Sequence, residues 1–311
     1  MKIGILMSGQ GAQTVGMGQD LFDNLPVYQA YVQRANQVLG YDLMADVCGN
    51  ANRIQQTAFA QPAIMTMSVG IYQALFEGLS QPNYLLGLSL GEYSALTAAQ
   101  IFNFEQSVAI LADRGRYMQD AGETQPGKMV AVMSDNQSQI VNLLTQLQAQ
   151  GKRVYPANFN TFSQLVIGGV ATDVDVAVEQ LSQLGISRMV ELPVAGAFHT
   201  PLLATAAEKL KQRLSHEKVM ASDKIVFSNT TGQPFSGVLP TLEKQMTHPT
   251  YFAQALQAMI DQGVDTLIEL GPSDTLSKFA KKVVGKEIKR YAVNDLVSFQ
   301  QVRTLLLTEG K

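Results

Sequence analysis

The sequence predicts an α/β protein in which a smaller domain is inserted into a larger domain built around a parallel sheet. Two patterns indicate this fold. Continuously apolar segments alternate with helical patterning, which is typical of a parallel sheet covered on both faces. Between them, residues 127–193 change to the order strand, helix, strand, strand, helix, strand, which is the ferredoxin-like unit. A chain of 311 residues with 46% hydrophobic content can bury such a core.

The large domain is predicted to comprise residues 1–126 and 194–311. Its predicted strands are Ile3–Met7, Tyr84–Leu88, Ile225–Ser228, Thr266–Leu270 and Ile288–Ala292. One of its helices is predicted to begin at Pro62, because proline suits a first helical turn. The elements of the small domain are predicted at Met129–Met133, Gln137–Gln150, Arg153–Phe159, Leu165–Gly168, Val174–Leu184 and Arg188–Leu192. We expect the functional pocket in the cleft between the two domains.

Composition argues against several classes of protein. The formal net charge is -3 and no basic run is interleaved with aromatic residues, so nucleic-acid binding has little support. The single cysteine, Cys48, excludes an internal disulfide and is better interpreted as a small buried hydrophobe than as a catalytic thiol. The apolar run Ile3–Met7 is too short for a signal sequence or a membrane span. We therefore expect a cytoplasmic protein without membrane association.

The strongest chemical signal is a serine between two glycines in residues 87–91 (GLSLG), after a predicted strand and before a predicted helix. This is the context of the nucleophile elbow, so the large domain is predicted to be α/β-hydrolase-like. The small residues permit a sharp turn, and the next helix directs its N-terminal N–H groups at the site. Ser89 is the predicted nucleophile, while a purely structural turn is the alternative.

A serine nucleophile needs a base, and the chain contains three histidines. His216 lies at a polar helix end and is predicted to be solvated. His248 precedes a proline and could cap a helix or line a cleft. His199 follows the small domain and precedes a helix that opens with Pro201, so it falls at the domain junction. His199 is therefore the preferred candidate for the base.

Two further segments carry candidate binding groups. Residues 8–13 (SGQGAQ) follow the first strand but fail the dinucleotide pattern GxGxxG, because Thr14 stands at the third glycine position. This loop either lends a backbone N–H to an oxyanion or is only a tight turn. Arg114 lies beside an apolar helical stripe, where its guanidinium needs a partner. A substrate carboxylate and an internal salt bridge are both possible partners.

Four segments, in this order, resemble the malonyl-CoA:acyl-carrier-protein transacylase family. They are residues 9–13 (GQGAQ), 87–96 (GLSLGEYSAL), 114–115 (RG) and 196–199 (GAFH). Residues 158–167 and 268–276 are similar to two further family segments, so the resemblance spans nearly the whole chain. Such an ordered set is far more specific than any one of its members.

The resemblance implies that Ser89 is acylated, that His199 is its base, and that Arg114 binds the malonyl carboxylate. It also implies an oxyanion hole formed by the backbone N–H groups of Gln10 and Leu90. Phe198 resembles the residue found in malonyl-selective members. In this family a backbone carbonyl orients the imidazole, and we assign that role to the carbonyl of Tyr251. Residues 248–251, which end at Tyr251, depart from the family pattern. Leu88 is another departure, because the family commonly has histidine there.

The implied reaction moves malonyl from malonyl-CoA to the phosphopantetheine thiol of acyl carrier protein, for fatty acid biosynthesis. We expect a monomer that needs no metal or other cofactor. Five basic residues are a candidate surface for the acidic carrier protein, with a solvated surface as the alternative: Lys281, Lys282, Lys286, Lys289 and Arg290. The rival functions are a serine thioesterase or other hydrolase, a malonyltransferase of a polyketide or malonate decarboxylase system, and a binding subunit without activity.

Overall fold

The computed structural model describes residues 1–194 and 196–309. The strands are β1 (Ile3–Met7), β2 (Tyr84–Gly87), β3 (Gly127–Met133), β4 (Val154–Thr161), β5 (Gln164–Val170), β6 (Met189–Glu191), β7 (Ile225–Ser228), β8 (Gln233–Pro234), β9 (Thr266–Leu270) and β10 (Lys289–Val293). The helices are α1 (Gln19–Asn24), α2 (Pro26–Leu39), α3 (Thr57–Leu75), α4 (Gly91–Ala98), α5 (Phe104–Thr124), α6 (Gln137–Ala149), α7 (Ala171–Gln183), α8 (Ala204–Leu214), α9 (Val238–Gln245), α10 (Phe252–Ile260), α11 (Thr275–Val284) and α12 (Leu296–Glu309). A π-helical segment at Leu43–Cys48 and a 3₁₀ turn at Pro201–Leu203 complete the list.

A six-stranded sheet in the order β10-β9-β1-β2-β7-β8 forms the centre of the larger part of the molecule. The pairs from β10 to β7 are parallel, and only the short β8 runs antiparallel to its neighbour. The central strands are buried because helices cover both faces of the sheet. The α/β prediction is confirmed.

A separate four-stranded sheet in the order β4-β5-β3-β6 is built only from residues 127–191, and its strands pair antiparallel. With α6 and α7 it gives the predicted ferredoxin-like succession. Its own core includes Val132, Leu144 and Ile167, all fully buried. The predicted crossing at 193–196 includes Ala195, which lies outside the described residues, and the exact domain boundaries stay a prediction.

The helix predicted to begin at Pro62 instead begins at Thr57, so that prediction is wrong. A proline inside a helix removes one backbone hydrogen bond and crowds the preceding turn, which is why the sequence favoured a start there. Tertiary contacts hold the extra turn in place, because the Ala58 N–H donates to Gln119 of α5 at 3.2 Å. Most of α3 is buried on all sides, so packing outweighs the local cost of Pro62.

The two sheets meet where the functional groups are expected. Strand β4 bridges in parallel to Thr250, and the Phe159 N–H donates to the Thr250 carbonyl at 2.7 Å. The Asn158 side chain adds a bond to the Thr250 hydroxyl at 2.8 Å. These bonds fix the small sheet above the carboxyl ends of β1 and β2, where α/β proteins place their sites. In the described ranges, no helix combines the length and the apolar character needed to cross a membrane.

Candidate active site

Ser89 lies on the sharp turn between β2 and α4, with a backbone φ of 55°. This left-handed conformation is rare for a residue with a side chain and is typical of strained functional turns. The turn is tight enough to require its glycines. A Cβ at Gly87 would lie 1.9 Å from the Gly91 backbone, and one at Gly91 would lie 2.3 Å from the Met7 carbonyl oxygen. The predicted nucleophile elbow is therefore present.

The structure brings His199 to Ser89 across 110 residues of chain. The imidazole Nε2 lies 2.8 Å from the Ser89 Oγ. Its Nδ1 lies 2.8 Å from the Gln245 carbonyl oxygen, which can only accept a hydrogen bond. The proton must therefore be on Nδ1, and Nε2 carries the lone pair that accepts the Ser89 hydroxyl proton. This is the tautomer that a general base for Ser89 needs.

The group that orients His199 differs from our prediction. The Tyr251 carbonyl accepts the Ala255 N–H at 3.0 Å as the first bond of α10, and the Tyr251 ring stacks on Phe159 with centroids 5.0 Å apart. The Tyr251 carbonyl therefore begins α10 and its ring packs on β4, so the prediction that this carbonyl orients His199 is wrong. Gln245, the last residue of α9, takes the role instead. No sequence pattern points to Gln245 for this role, because every residue has a backbone carbonyl.

His199 is only 3% exposed and has a φ of 60°, so its backbone is also left-handed. Burial, with a smaller contribution from the nearby Arg114 charge, lowers the pKa of His199 to about 4. Both effects disfavour the imidazolium. The imidazole is consequently neutral over the ordinary pH range and ready to accept a proton.

Arg114 lies on α5 and is fully buried, as its place beside an apolar stripe indicated. One terminal nitrogen donates to Gln61 Oε1 at 2.6 Å, and the other donates to Gln245 Oε1 at 2.9 Å and to Ser89 Oγ at 3.1 Å. Its Nε has no acceptor among the described residues. The guanidinium also forms no ion pair with any described carboxylate, so the predicted alternative of an internal salt bridge is not observed.

An unpaired buried cation is costly unless something compensates its charge. The three acceptors of Arg114 are neutral amide and hydroxyl oxygens, which satisfy hydrogen-bonding capacity but supply no negative charge. A carboxylate carried by a group bound to Ser89 would supply it within contact distance of the nucleophile. The arrangement therefore favours an anionic acyl group.

The two predicted oxyanion donors lie at neighbouring strand ends. Gln10 follows β1 and Leu90 follows β2, and these strands are paired in register with Met7 opposite Gly87. The Gln10 side chain donates to Thr57 Oγ1 at 3.0 Å, which fixes the loop against α3. Leu90 is fully buried and immediately precedes α4, whose positive N-terminal end faces the elbow. The proposed roles of both N–H groups rest on this placement.

A cavity of about 590 Å³ opens above Ser89 between the two sheets. Ser89, His199, Gln10, Leu88 and Phe198 are among the residues that line it. Phe198 packs against the cores of both parts of the molecule, and Leu88 presents an apolar side chain beside the nucleophile. Amide side chains of β4 and β5 line the opposite wall: Asn158, Asn160 and Gln164. The predicted pocket between the domains is therefore present.

Glu92 is a second residue that sequence reasoning missed. It is fully buried in α4, one turn beyond Ser89, and its carboxylate accepts hydrogen bonds from the Asn229 N–H and the Gln245 side-chain amide. Burial raises the pKa of Glu92 to about 7 against the opposing effect of these bonds. Glutamate in a first helical turn is ordinary, so the sequence offered no signal that this one is buried.

The other two histidines lie away from the nucleophile. His216 is exposed, as predicted. His248 is also exposed, and its Nδ1 lies 2.9 Å from the Lys244 carbonyl. It caps the end of α9 and does not line the cavity. Among residues 1–194 and 196–309, no group of three His, Cys, Asp or Glu side chains is placed to hold a metal ion.

Taken together, a serine with an aligned neutral imidazole, two candidate oxyanion donors and a buried cation can carry out acyl transfer through a covalent serine ester. The fold and site define a serine-dependent acyl-transfer protein. Residues 5–300 match the family model described as the acyl transferase domain. The chain belongs to the acyl transferase domain family.

Individual relatives agree with this assignment. The chain is 34% identical over 298 residues to the malonyl CoA-acyl carrier protein transacylase of Bacillus subtilis, covering 94% of each protein. The crystal structure of MCAT from Streptococcus pneumoniae superposes with a TM-score of 0.93 at 38% identity, covering 98% of this chain and 100% of that one. The structure of a malonyl-transacylase in complex with a type II PKS acyl-carrier protein superposes with a TM-score of 0.92 at 32% identity, covering 98% of this chain and 100% of that one.

Proposed function

We propose that this protein transfers a malonyl group from malonyl-CoA to the phosphopantetheine thiol of acyl carrier protein, through a malonyl ester on Ser89. The observation that carries the proposal is the contact between Ser89 Oγ and two different groups, a neutral imidazole at 2.8 Å and a buried guanidinium at 3.1 Å. The first activates the nucleophile, and the second recognises a carboxylate next to it. The names of the relatives described above support the same substrates.

In the first half-reaction, His199 Nε2 accepts the Ser89 proton as Oγ attacks the thioester carbonyl carbon. The carbonyl oxygen becomes an oxyanion, which the N–H groups of Gln10 and Leu90 stabilise. The tetrahedral intermediate then collapses, the C–S bond breaks, and His199 returns the proton to the coenzyme A thiolate. The Gln245 carbonyl holds the imidazole and favours its positive charge during this step.

The second half-reaction repeats the same steps with the carrier protein as the nucleophile. His199 accepts the proton of the phosphopantetheine thiol, and the thiolate attacks the malonyl ester. The C–O bond to Ser89 then breaks, and His199 reprotonates Ser89 Oγ. One site and one base therefore serve both thiols, and the acyl group never leaves the cavity as a free acid.

Arg114 accounts for selection of malonyl over acetyl. A bidentate pair between a guanidinium and a carboxylate contributes roughly 1.5 to 3 kcal/mol, which corresponds to about one to two orders of magnitude in selectivity. Acetyl has no carboxylate, so it would leave the buried Arg114 charge unpaired. Phe198, whose ring lines the cavity, is proposed to limit the space for a branched acyl group.

The carrier protein is proposed to dock beside α11. The start of this helix lines the cavity mouth through Leu276 and Phe279, and its far end exposes Lys281 and Lys282. Lys286 is also exposed, just beyond the helix. Lys289 and Arg290 complete the predicted basic surface, although Arg290 donates to the carbonyls of Gly285 and Ile288. An acidic carrier protein would be attracted to this surface at low salt.

The proposal is tested by following malonyl-CoA consumption with and without holo acyl carrier protein. We expect rapid formation of malonyl-carrier protein with the carrier present and only slow release of free malonate without it. Steady malonate release without the carrier would identify a hydrolase instead. Ser89→Ala is the matched control, because it removes the nucleophile and leaves the cavity open. The expected role in fatty acid biosynthesis, the cytoplasmic location, the monomeric state and the independence from cofactors stay predictions.

A further inference from the structure

The side chain of Gln245 contacts three different polar groups of the site. Its Oε1 accepts from Arg114 at 2.9 Å, while its Nε2 donates to the Ser89 carbonyl at 3.0 Å and to a Glu92 carboxylate oxygen. Its backbone carbonyl separately faces His199. Gln245 is fully buried, so water cannot replace any of these partners. The direction of its side-chain amide therefore determines what Arg114 meets.

Glu92 determines that direction. Gln245 Nε2 donates to Glu92, and in its ionised form, which predominates above pH about 7, the Glu92 carboxylate only accepts hydrogen bonds, so the group facing it must be the Gln245 NH₂. One of its oxygens is already taken by the Asn229 N–H, and the other faces Gln245. Asn229 is itself fixed, since its side chain donates to the Gly87 carbonyl at 2.8 Å. With Nε2 held by Glu92, the amide oxygen of Gln245 is left pointing at Arg114.

We propose that Glu92 is a positioning residue for malonyl recognition: through the Gln245 amide it holds the Arg114 guanidinium in the direction that a malonyl group on Ser89 requires. This inference rests on the proposed function and names a residue that does not touch the substrate. Glu92 thus contributes to the choice of acyl group, and this role is separate from activation of the Ser89 nucleophile. The separation is possible because His199 is held by the Gln245 backbone, not by its side chain.

Glu92→Gln tests the donor and acceptor logic with little change in shape. The new amide must keep its oxygen toward the Asn229 N–H, which turns its NH₂ toward Gln245 Nε2. Two donors then face each other, and Gln245 relieves the conflict only by rotating its own NH₂ toward Arg114. Either arrangement misdirects the guanidinium. The hydrogen bond between Ser89 and His199, and the one between His199 and the Gln245 backbone carbonyl, do not involve the altered amides.

The readout is the ratio of kcat/KM for malonyl-CoA to kcat/KM for acetyl-CoA, measured with holo acyl carrier protein as acceptor. We expect Glu92→Gln to lower this ratio about tenfold, as for the loss of one charge-assisted bond of about 1.4 kcal/mol. Acetyl transfer should change much less. Gln245→Met, which removes the amide and keeps the backbone carbonyl, should lower the ratio in the same way.

Glu269→Gln is the matched control. Glu269 is equally buried and its pKa is also raised to about 7, but its carboxylate accepts from Ser8 and from the first turn of α11. It contacts neither Gln245 nor Arg114, so we expect its neutralisation to leave the malonyl-to-acetyl ratio closer to that of the wild type. Circular dichroism and thermal melting establish that each variant is folded.

An unchanged ratio in folded Glu92→Gln and Gln245→Met, or an equal loss for both substrates, would overturn the proposal. Failure of both variants to fold would also overturn it, because the role of Glu92 would then be structural. If only Glu92→Gln fails to fold, the ratio of Gln245→Met decides. A wild-type protein that transfers neither acyl group would contradict the proposed function instead, so the two failures are distinguishable.

Discussion

The imidazole of His199 and the guanidinium of Arg114 both contact the Ser89 hydroxyl, and the charge of one affects the basicity of the other. Burial is the larger reason that the pKa of His199 is lowered to about 4, and the Arg114 charge adds to it. A malonyl carboxylate would neutralise that charge when the substrate binds. We therefore expect His199 to be a stronger base with malonyl in the site than in the free enzyme.

Arg114→Ala should move the acid limb of activity to higher pH. Loss of the positive charge, together with entry of water into the space left by the side chain, favours the imidazolium and raises the pKa of His199. The limb should nevertheless stay below the ordinary histidine value of 6.5, because the ring remains largely buried. The measurement is kcat/KM against pH with acetyl-CoA, which does not need Arg114. A limb that stays in place or moves to lower pH would contradict this interpretation.

The sequence predicted the residues that react or bind substrate, but it did not predict the residues that orient them through hydrogen bonds. Ser89 and His199 stand in recognisable local contexts, and the burial of Arg114 follows from its helical stripe. Gln245 was missed because it acts through a backbone carbonyl 46 residues from His199. Glu92 was missed because burial of a polar residue in α4 depends on the packing of β7 and α9, which local patterning does not report.

The junction of β1, β2 and α4 is the element that presents the nucleophile. Gly91 opens α4 directly against the end of β1, and the same strand leads into the loop of Gln10. The distance between the elbow and this loop therefore depends on a close backbone contact. An added side chain at this contact would separate the nucleophile from one of its proposed oxyanion donors.

Gly91→Ala should lower both stability and turnover. Its Cβ would lie 2.3 Å from the Met7 carbonyl oxygen, and overpacking of this kind costs about 1–3 kcal/mol. We expect lower kcat with a smaller change in KM, because the oxyanion exists only during the reaction. Chemical unfolding and steady-state kinetics measure the two effects.

Asn103→Ala is the control for that variant. Asn103 caps α5 by accepting the Gln106 N–H at 2.8 Å, and its loss costs about 1 kcal/mol far from Ser89. This variant should lose stability with kcat unchanged. If Gly91→Ala behaves in the same way, the β1 junction has no part in catalysis.

Local sequence patterns predicted which helices and strands form better than they predicted the residues at which these elements begin and end. The ferredoxin-like succession is encoded in consecutive segments with short connections, so its order can be read along the chain. The start of α3 was wrong because contacts with α5 hold one turn before Pro62. Propensity alone does not include such tertiary contacts.

For the molecule as a whole, buried ionisable groups should make stability depend on pH. The pKa of Glu269 is raised from 4.5 to about 7 by burial, so the folded state binds a proton that the unfolded state has released between these values. Its contribution to stability is complete below pH 4.5 and is lost as pH rises through about 7. The pKa of Glu92 is also raised, so its contribution to stability is likewise lost as pH rises through about 7. The pKa of His199 is lowered instead, so its contribution to stability increases as pH rises from about 4 to 6.5.

Glu269→Gln should remove one part of this dependence. Relative to the wild type, its free energy of unfolding should fall less steeply as pH rises from 4.5 to about 7. Urea unfolding at a series of pH values gives both curves, and their difference isolates Glu269 from the other groups. Parallel curves would show that Glu269 binds no extra proton in the folded state.

Charge reversal at Lys281 and Lys282 tests the proposed docking surface. The double variant Lys281→Glu and Lys282→Glu should raise KM for the acidic carrier protein and weaken its dependence on salt. Acylation by malonyl-CoA should be unaffected, because both residues lie at the end of α11 away from Ser89. An unchanged KM for the carrier protein would show that Lys281 and Lys282 belong to an ordinary solvated surface and take no part in docking.

The central claim is that Ser89 carries a malonyl group chosen by Arg114, and the most direct measurement is the intact mass of the protein after brief exposure to malonyl-CoA or acetyl-CoA. We predict one malonyl adduct on Ser89, absent from Ser89→Ala, with far less acetyl adduct. In Arg114→Ala the malonyl preference should disappear while an acetyl adduct still forms. An adduct that survives Ser89→Ala, or equal labelling of the wild type by both thioesters, would contradict the account.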